Sequence, residues 1–176
     1  MRISLFLLAP TLAALSACTP APPEAGTAAP AAAAAAPSPT PATAVSDTLN
    51  DPGSGADCAG KNLRISRDNT TLVINGECGE VTITASGGSL NFDKARTIVL
   101  EGSHYTVLNT DVDTVRVVGS DNTLNLTNAR RIEVSGNNNM ILSRETAEVQ
   151  FSGNTNTLNT DAQPQVDDRG SGNRVI

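Results

Sequence analysis

Histidine occurs once in this 176-residue chain, tryptophan never, tyrosine once and phenylalanine three times. One histidine leaves no second imidazole for a histidine pair at a metal, and a lone general base has nothing to position it. So few rings offer no platform for stacked bases. Twelve basic residues stand against eighteen acidic ones, so no nucleic-acid partner is expected. Scarce aromatics also weigh against sugar binding without excluding it. No Gly-Gly-x-Gly-x-Asp run is present, which removes the calcium-binding nonapeptide solenoid. The chain also lacks a long apolar run beyond its first 17 residues.

What the chain does have is a period. Val81, Ile98, Val115, Ile132, Val149 and Val166 stand 17 residues apart, and so do Leu90, Val107, Leu124, Ile141, Leu158 and Val175. Aliphatic columns held in register through successive turns predict an all-β, single-chain parallel β-helix, a β-solenoid with coils of about 17 residues. Within one coil, Val115 and Val117 flank Arg116, and Leu124 and Leu126 flank Asn125. Alternation of period two gives strands with one face in and one face out. A second inner column is Ile83, Leu100, Val117, Val134 and Phe151, and a third corner carries the smaller Ala95, Val112, Ala129 and Thr146. Leu63, Ile65, Leu72 and Ile74 lie 18 residues before their equivalents, so the first coil holds one extra residue.

Gly119-Ser120-Asp121-Asn122 joins the two strands as a turn, and glycine recurs at 102, 119, 136, 153 and 170. A fixed glycine predicts a backbone angle that only glycine takes cheaply. Ala85 departs from the column, so a different turn is expected there. Asn122, Asn139, Asn156 and Asn173 form a turn column. It reads as a structural asparagine ladder, with a polar ligand-binding row as the alternative. Charges follow the same spacing: Lys94 under Asp111, Arg116 under Glu133, Arg131 under Glu148, Arg144 under Asp161, and Arg96, Asp113 and Arg130 in one column. Opposite charges on adjacent coils fix register and leave few ionisable groups for catalysis.

Met1-Arg2, an apolar stretch to Ala14 and Leu15-Ser16-Ala17-Cys18 resemble the signal peptide and lipobox of bacterial lipoproteins. The resemblance implies cleavage before Cys18, a diacylglycerol thioether on its sulfur and an acylated new N-terminus. A membrane partner through that anchor follows, since several acyl chains hold stably. An ordinary secretory signal with an incidental cysteine is the alternative. Loss of Arg2 with the leader leaves eleven basic and eighteen acidic groups, a charge of −7. Thr19, where an Asp would resemble an inner-membrane retention signal, favours the outer membrane in a Gram-negative host. Residues 18–56, rich in Ala and Pro, bury too little apolar surface to order themselves and read as a disordered tether. The solenoid domain is then expected over 57–176. With Cys18 lipidated, Cys58 and Cys78 remain as an even pair in an oxidising compartment, and a disulfide is expected across the first coil. A metal or redox pair would want a Cys-x-x-Cys or a nearby histidine, which the sequence lacks.

The segment 58–176 resembles a bacterial family known as domain of unknown function 3060. The resemblance rests on an early cysteine pair and on repeats such as Ile132-Glu133-Val134-Ser135-Gly136-Asn137-Asn138-Asn139-Met140-Ile141. It implies an exported domain and supplies no activity. His104 sits in a turn, and Ser103 and Tyr105 beside it form no recognisable triad. Parallel β-helices resemble pectin-acting enzymes that use clustered Asp with Arg or Lys. Here Asp111 and Asp113 face Lys94, Arg96 and Arg130, which points to structural pairing, and Asp167-Asp168 lies in the last coil. Thr106, Thr123 and Thr157 share an outward column that Met140 and Arg174 interrupt. Beside it run Asn91, Leu108, Asn125, Leu142, Asn159 and Ile176, a mixed stripe that reads either as a face for a protein or glycan or as ordinary surface, since scattered exposed apolar residues are normal. The chain is expected to be a lipid-anchored cell-envelope protein displaying a non-enzymatic binding or structural module, without cofactor or metal. The alternative is a polysaccharide-binding or polysaccharide-active β-helix; longer loops forming a groove around Asp111, Asp113 and Arg130 would favour it, and a smooth surface would favour the first reading.

Overall fold

The computed structural model describes residues 47–176. The leader at 1–17, Cys18 and the tether as far as residue 46 lie outside the described residues. The strands are β1 (Thr48–Asn50), β2 (Asn62–Ile65), β3 (Thr70–Ile83), β4 (Gly88–Leu100), β5 (Tyr105–Val117), β6 (Thr123–Val134), β7 (Met140–Phe151), β8 (Thr157–Asn159), β9 (Gln165–Asp168) and β10 (Arg174–Val175). All pair in parallel; β2 to β8 pair with the coils before and after them, and β1, β9 and β10 with one neighbouring coil. Val81 pairs with Ile98, Ile98 with Val115, Val115 with Ile132 and Ile132 with Val149, the 17-residue register read from the sequence. Among the described residues the chain is an all-β solenoid. Its ordered part starts earlier than residue 57, because β1 already pairs with β2 inside the stretch expected as tether.

Both inner columns are buried along their length, from Val81 to Val149 and from Ile83 to Phe151. Each aliphatic side chain taken wholly out of water stabilises the stack by roughly 1.5–3 kcal/mol. The extra residue of the first coil falls between Ile74 and Glu77, where the register shifts, and Gly76 there has φ 87°. Just after it, Cys78 is bonded to Cys58 with their Cα atoms 5.0 Å apart. The last full coil is broken into β8 and β9. Pro164 stands directly before β9 and has no N–H to give to a ladder.

The turns overturn one expectation. The recurring glycines do not have positive φ; their reason is space. A Cβ on Gly119 would overlap the carbonyl of Gly102, and one on Gly136 would overlap that of Gly119. The left-handed residue lies two places later, in a column of Asn69, Gly87, His104, Asp121, Asn138, Thr155 and Gly172, all with φ between 56° and 68°. Ala85 itself keeps the pattern, since Thr84 and Ala85 both donate their N–H to the Ile65 carbonyl just as Glu101 and Gly102 donate to Ile83, but the turn after it differs as expected: Gly88 has φ 115°, where its register partner Tyr105 has no positive φ.

Between those positions run two polar ladders. In the inner one, Asn139 Oδ1 accepts the Asn122 N–H (3.0 Å), Asn156 Oδ1 the Asn139 N–H (2.9 Å) and Asn173 Oδ1 the Asn156 N–H (2.8 Å). Each amide nitrogen donates to the glycine carbonyl of the coil before: Asn122 to Gly102 and Asn139 to Gly119, both at 3.0 Å. Thus the glycine leaves room for a carbonyl that the asparagine then satisfies. The second ladder was not read from the sequence. Ser86, Ser103, Ser120, Asn137 and Asn154 each accept, on a side-chain oxygen, the N–H of the equivalent residue one coil later. The two ladders point in opposite directions along the axis. Tyr105 takes the first rung of the inner one with a ring instead of an amide. Its N–H donates to Asn122 Oδ1 (2.8 Å), and burial pushes the phenol pKa up. Thr70 lies near enough to temper that rise, but no group meets the hydroxyl in hydrogen-bond geometry.

Candidate functional site: an axial groove

Each long strand loses its alternation in mid-course. In β5 the buried positions are Tyr105, Val107 and Asn109, then Val112, then Val115 and Val117. Steps of two are interrupted by two steps of three, so residues on both sides of Val112 turn outward together. The register stacks this feature from coil to coil, with Cys78, Ala95, Val112, Ala129 and Thr146 in one column. The result is a groove of about 1230 Å³ running along the axis, with this column at its base. The four coil steps between these five residues, at about 4.8 Å each, make the floor roughly 19 Å long. No inserted loop builds it; small side chains at one corner suffice. The sequence had marked this column as a third, smaller corner of the core. Its members are buried, and they also form the floor of an open surface.

The walls carry charge in bands. Lys94 and Arg96 flank Ala95, Asp111 and Asp113 flank Val112, and Arg130 stands beside Ala129. Glu77 and Glu145 lie in the outer coils of the same groove. Lys94 Nζ is 3.4 Å from Asp111 Oδ2, and Arg130 Nε is 3.8 Å from Asp113 Oδ1. Asn128 Nδ2 also donates to Asp111 Oδ1 (2.6 Å). Among the described residues, Arg96, Arg144, Glu77, Glu145 and Asp161 form no ion pair within 4 Å. The hydroxyl of Thr146, in the floor, is buried without a hydrogen-bond partner.

Three charge pairs read from coil spacing therefore form: Lys94 with Asp111, Arg130 with Asp113, and Arg131 with Glu148 at 2.9 Å. Arg116 does not hold Glu133, because Arg131 Nε reaches that carboxylate first, at 2.9 Å along its own strand. Neither Arg96 with Asp113 nor Arg144 with Asp161 is within 4 Å. The raised pKa of Arg131 has the same origin, its hydrogen bond to Glu133 ahead of the charge of Glu148.

The other sequence candidates are dispersed. His104 is exposed on a turn, 3.9 Å from Asp121, while the Ser103 hydroxyl accepts the Ser120 N–H and Tyr105 is buried in the core. These three groups do not assemble. Asp168 accepts hydrogen bonds from the Gly170 N–H and from Asn173, and Asp167 pairs with Arg169. Among the described residues no group of three or more His, Cys, Asp or Glu side chains is placed to hold a metal ion. None of their helices is long and apolar enough to cross a membrane.

No curated protein and no solved structure matches the chain. A family model does match, over a shorter stretch than the expected 58–176, and it covers the coils whose turns carry Gly119, Gly136, Gly153 and Gly170. Residues 117–172 match the family described as Protein of unknown function (DUF3060), and these coils of the solenoid are a DUF3060-like domain.

Proposed function

We propose that the chain is a lipid-anchored cell-envelope protein that displays its solenoid as a non-enzymatic binding module, with the axial groove as the contact surface. The observation that carries this reading is the groove itself. Stacking of the coils alone does not call for an open, charge-lined channel running along the axis over several coils. Asp111 and Asp113 lie beside lysine, arginine or amide groups, and among the described residues no nucleophile, base and orienting group converge there. The anchor rests on Leu15-Ser16-Ala17-Cys18. Cys18→Ser should release the protein from membranes and abolish labelling by a fatty-acid analogue; unchanged membrane fractionation would refute the anchor.

The groove around Asp111, Asp113 and Arg130 also supports the reading of a polysaccharide-active β-helix. New reducing ends in a soluble polysaccharide incubated with the protein, absent with Asp111→Asn, would establish that reading and displace the non-enzymatic one.

A further inference from the structure

The groove's charges are sorted by coil. Moving along the axis, the lining offers Glu77, then Lys94 with Arg96, then Asp111 with Asp113, then Arg130, then Glu145. In the coils of Lys94 and of Asp111 both walls carry the same sign, and from Glu77 to Glu145 the sign reverses at each step of about 4.8 Å. The order ends there: Arg144 stands next to Glu145, and Asp161, in the following coil, is again acidic. Ladder pairing of opposite charges accounts for part of this order. It does not account for Arg96 and Glu145, which have no ionic partner among the described residues. Nor does it require both walls of a coil to agree.

From this banding we propose that the groove binds a linear polymer carrying both free carboxylates and free amines, of the class of the peptide-bearing glycan of a bacterial cell wall. The proposal rests on the binding-module reading and deepens it. A polymer of one charge would be attracted by one band and repelled by the next, so alternation selects against it. A floor of small buried side chains, Ala95, Val112 and Ala129, leaves room for a narrow chain. A length of roughly 19 Å accommodates about six residues of an extended peptide. Thr146 adds one hydroxyl at the floor whose hydrogen-bonding capacity the fold leaves unused.

The test is co-sedimentation of the full chain, purified in detergent, with insoluble murein sacculi. The sacculi are used untreated, with amines acetylated, or with carboxylates amidated; insoluble chitin serves as a neutral glycan. Retention on untreated sacculi, lost after either treatment and weakened by salt, is the expected result. Arg96→Glu combined with Arg130→Glu should weaken retention roughly tenfold, the size expected from two partly exposed ion pairs. Arg116→Glu, on another face, should not change it, and thermal melts check that both variants fold. Retention that survives both treatments, or equal retention on chitin, would overturn the amphoteric ligand while leaving a binding module. Absence of retention on every polymer would overturn the proposal and leave the groove without its assigned role.

Discussion

Thr155 is held at φ 59°, a conformation in which a β-branched side chain crowds its own backbone. Its column shows what the position prefers: Asn69, Gly87, Asp121, Asn138 and Gly172 all tolerate it better. Thr155→Asn should therefore raise stability by about 0.5–1 kcal/mol. Two places earlier in the turn the demand is different. Gly119 has no unusual φ, but its neighbour's carbonyl occupies the space of a Cβ. Gly119→Ala should cost about 3 kcal/mol through forced separation of two coils. Urea denaturation of the two variants checks both expectations. A stabilising Gly119→Ala, or a destabilising Thr155→Asn, would show that the two kinds of constraint have been exchanged. Sequence alone suggested one kind, because a repeated glycine looks the same whether its backbone angle or its lost Cβ is the cause.

At the scale of the strand, the parity of β5 decides which residues matter. Val117 is fully buried, with Leu100 and Val134 as its register partners, while Arg116 is exposed. Val117→Asp would bury an unpaired carboxylate, at a cost of several kcal/mol or a strongly raised pKa. Arg116→Asp should cost under about 1 kcal/mol, since Glu133 already has Arg131 as its partner. Thermal melts that showed similar losses would refute this parity. The columns through Val117 and Val107 were legible in the sequence because core side chains obey both the period of two and the period of 17. The groove was not, because Ala95, Val112 and Ala129 read equally as a narrow core corner. Only the pair of three-residue steps around Val112 marks the bend, and the sequence cannot tell a bend that closes the core from one that opens a floor. Glu133 was assigned the wrong partner, Arg116, for a related reason. Coil spacing identifies neighbours across the ladder, whereas its actual partner, Arg131, lies two residues along the same strand.

At the scale of the molecule, the solenoid is a one-dimensional stack in which strands pair only with adjacent coils. Stability in such an array is a sum over coils and their interfaces, so a local bond protects locally. The Cys58–Cys78 bond is the covalent tie at the N-terminal end, joining the segment before β2 to the middle of β3. Closing its 20-residue separation removes denatured-state freedom worth about 3 kcal/mol. In the same end of the stack, Asp51 holds the turn after β2 through Ser66 Oγ and the backbone N–H groups of Ser66 and Arg67, bonds that keep its carboxyl below the usual range. That contribution is present at neutral pH and is lost as pH falls through the depressed pKa. Reduction should therefore raise amide hydrogen exchange in β1, β2 and the first half of β3, with β6 and β7 little affected. At acidic pH the same end should loosen further. Exchange that rises equally along all coils would mean that the stack opens as one cooperative unit. In that case the groove, whose floor begins at Cys78, would depend on the disulfide for its shape throughout its length and not at its first coil alone.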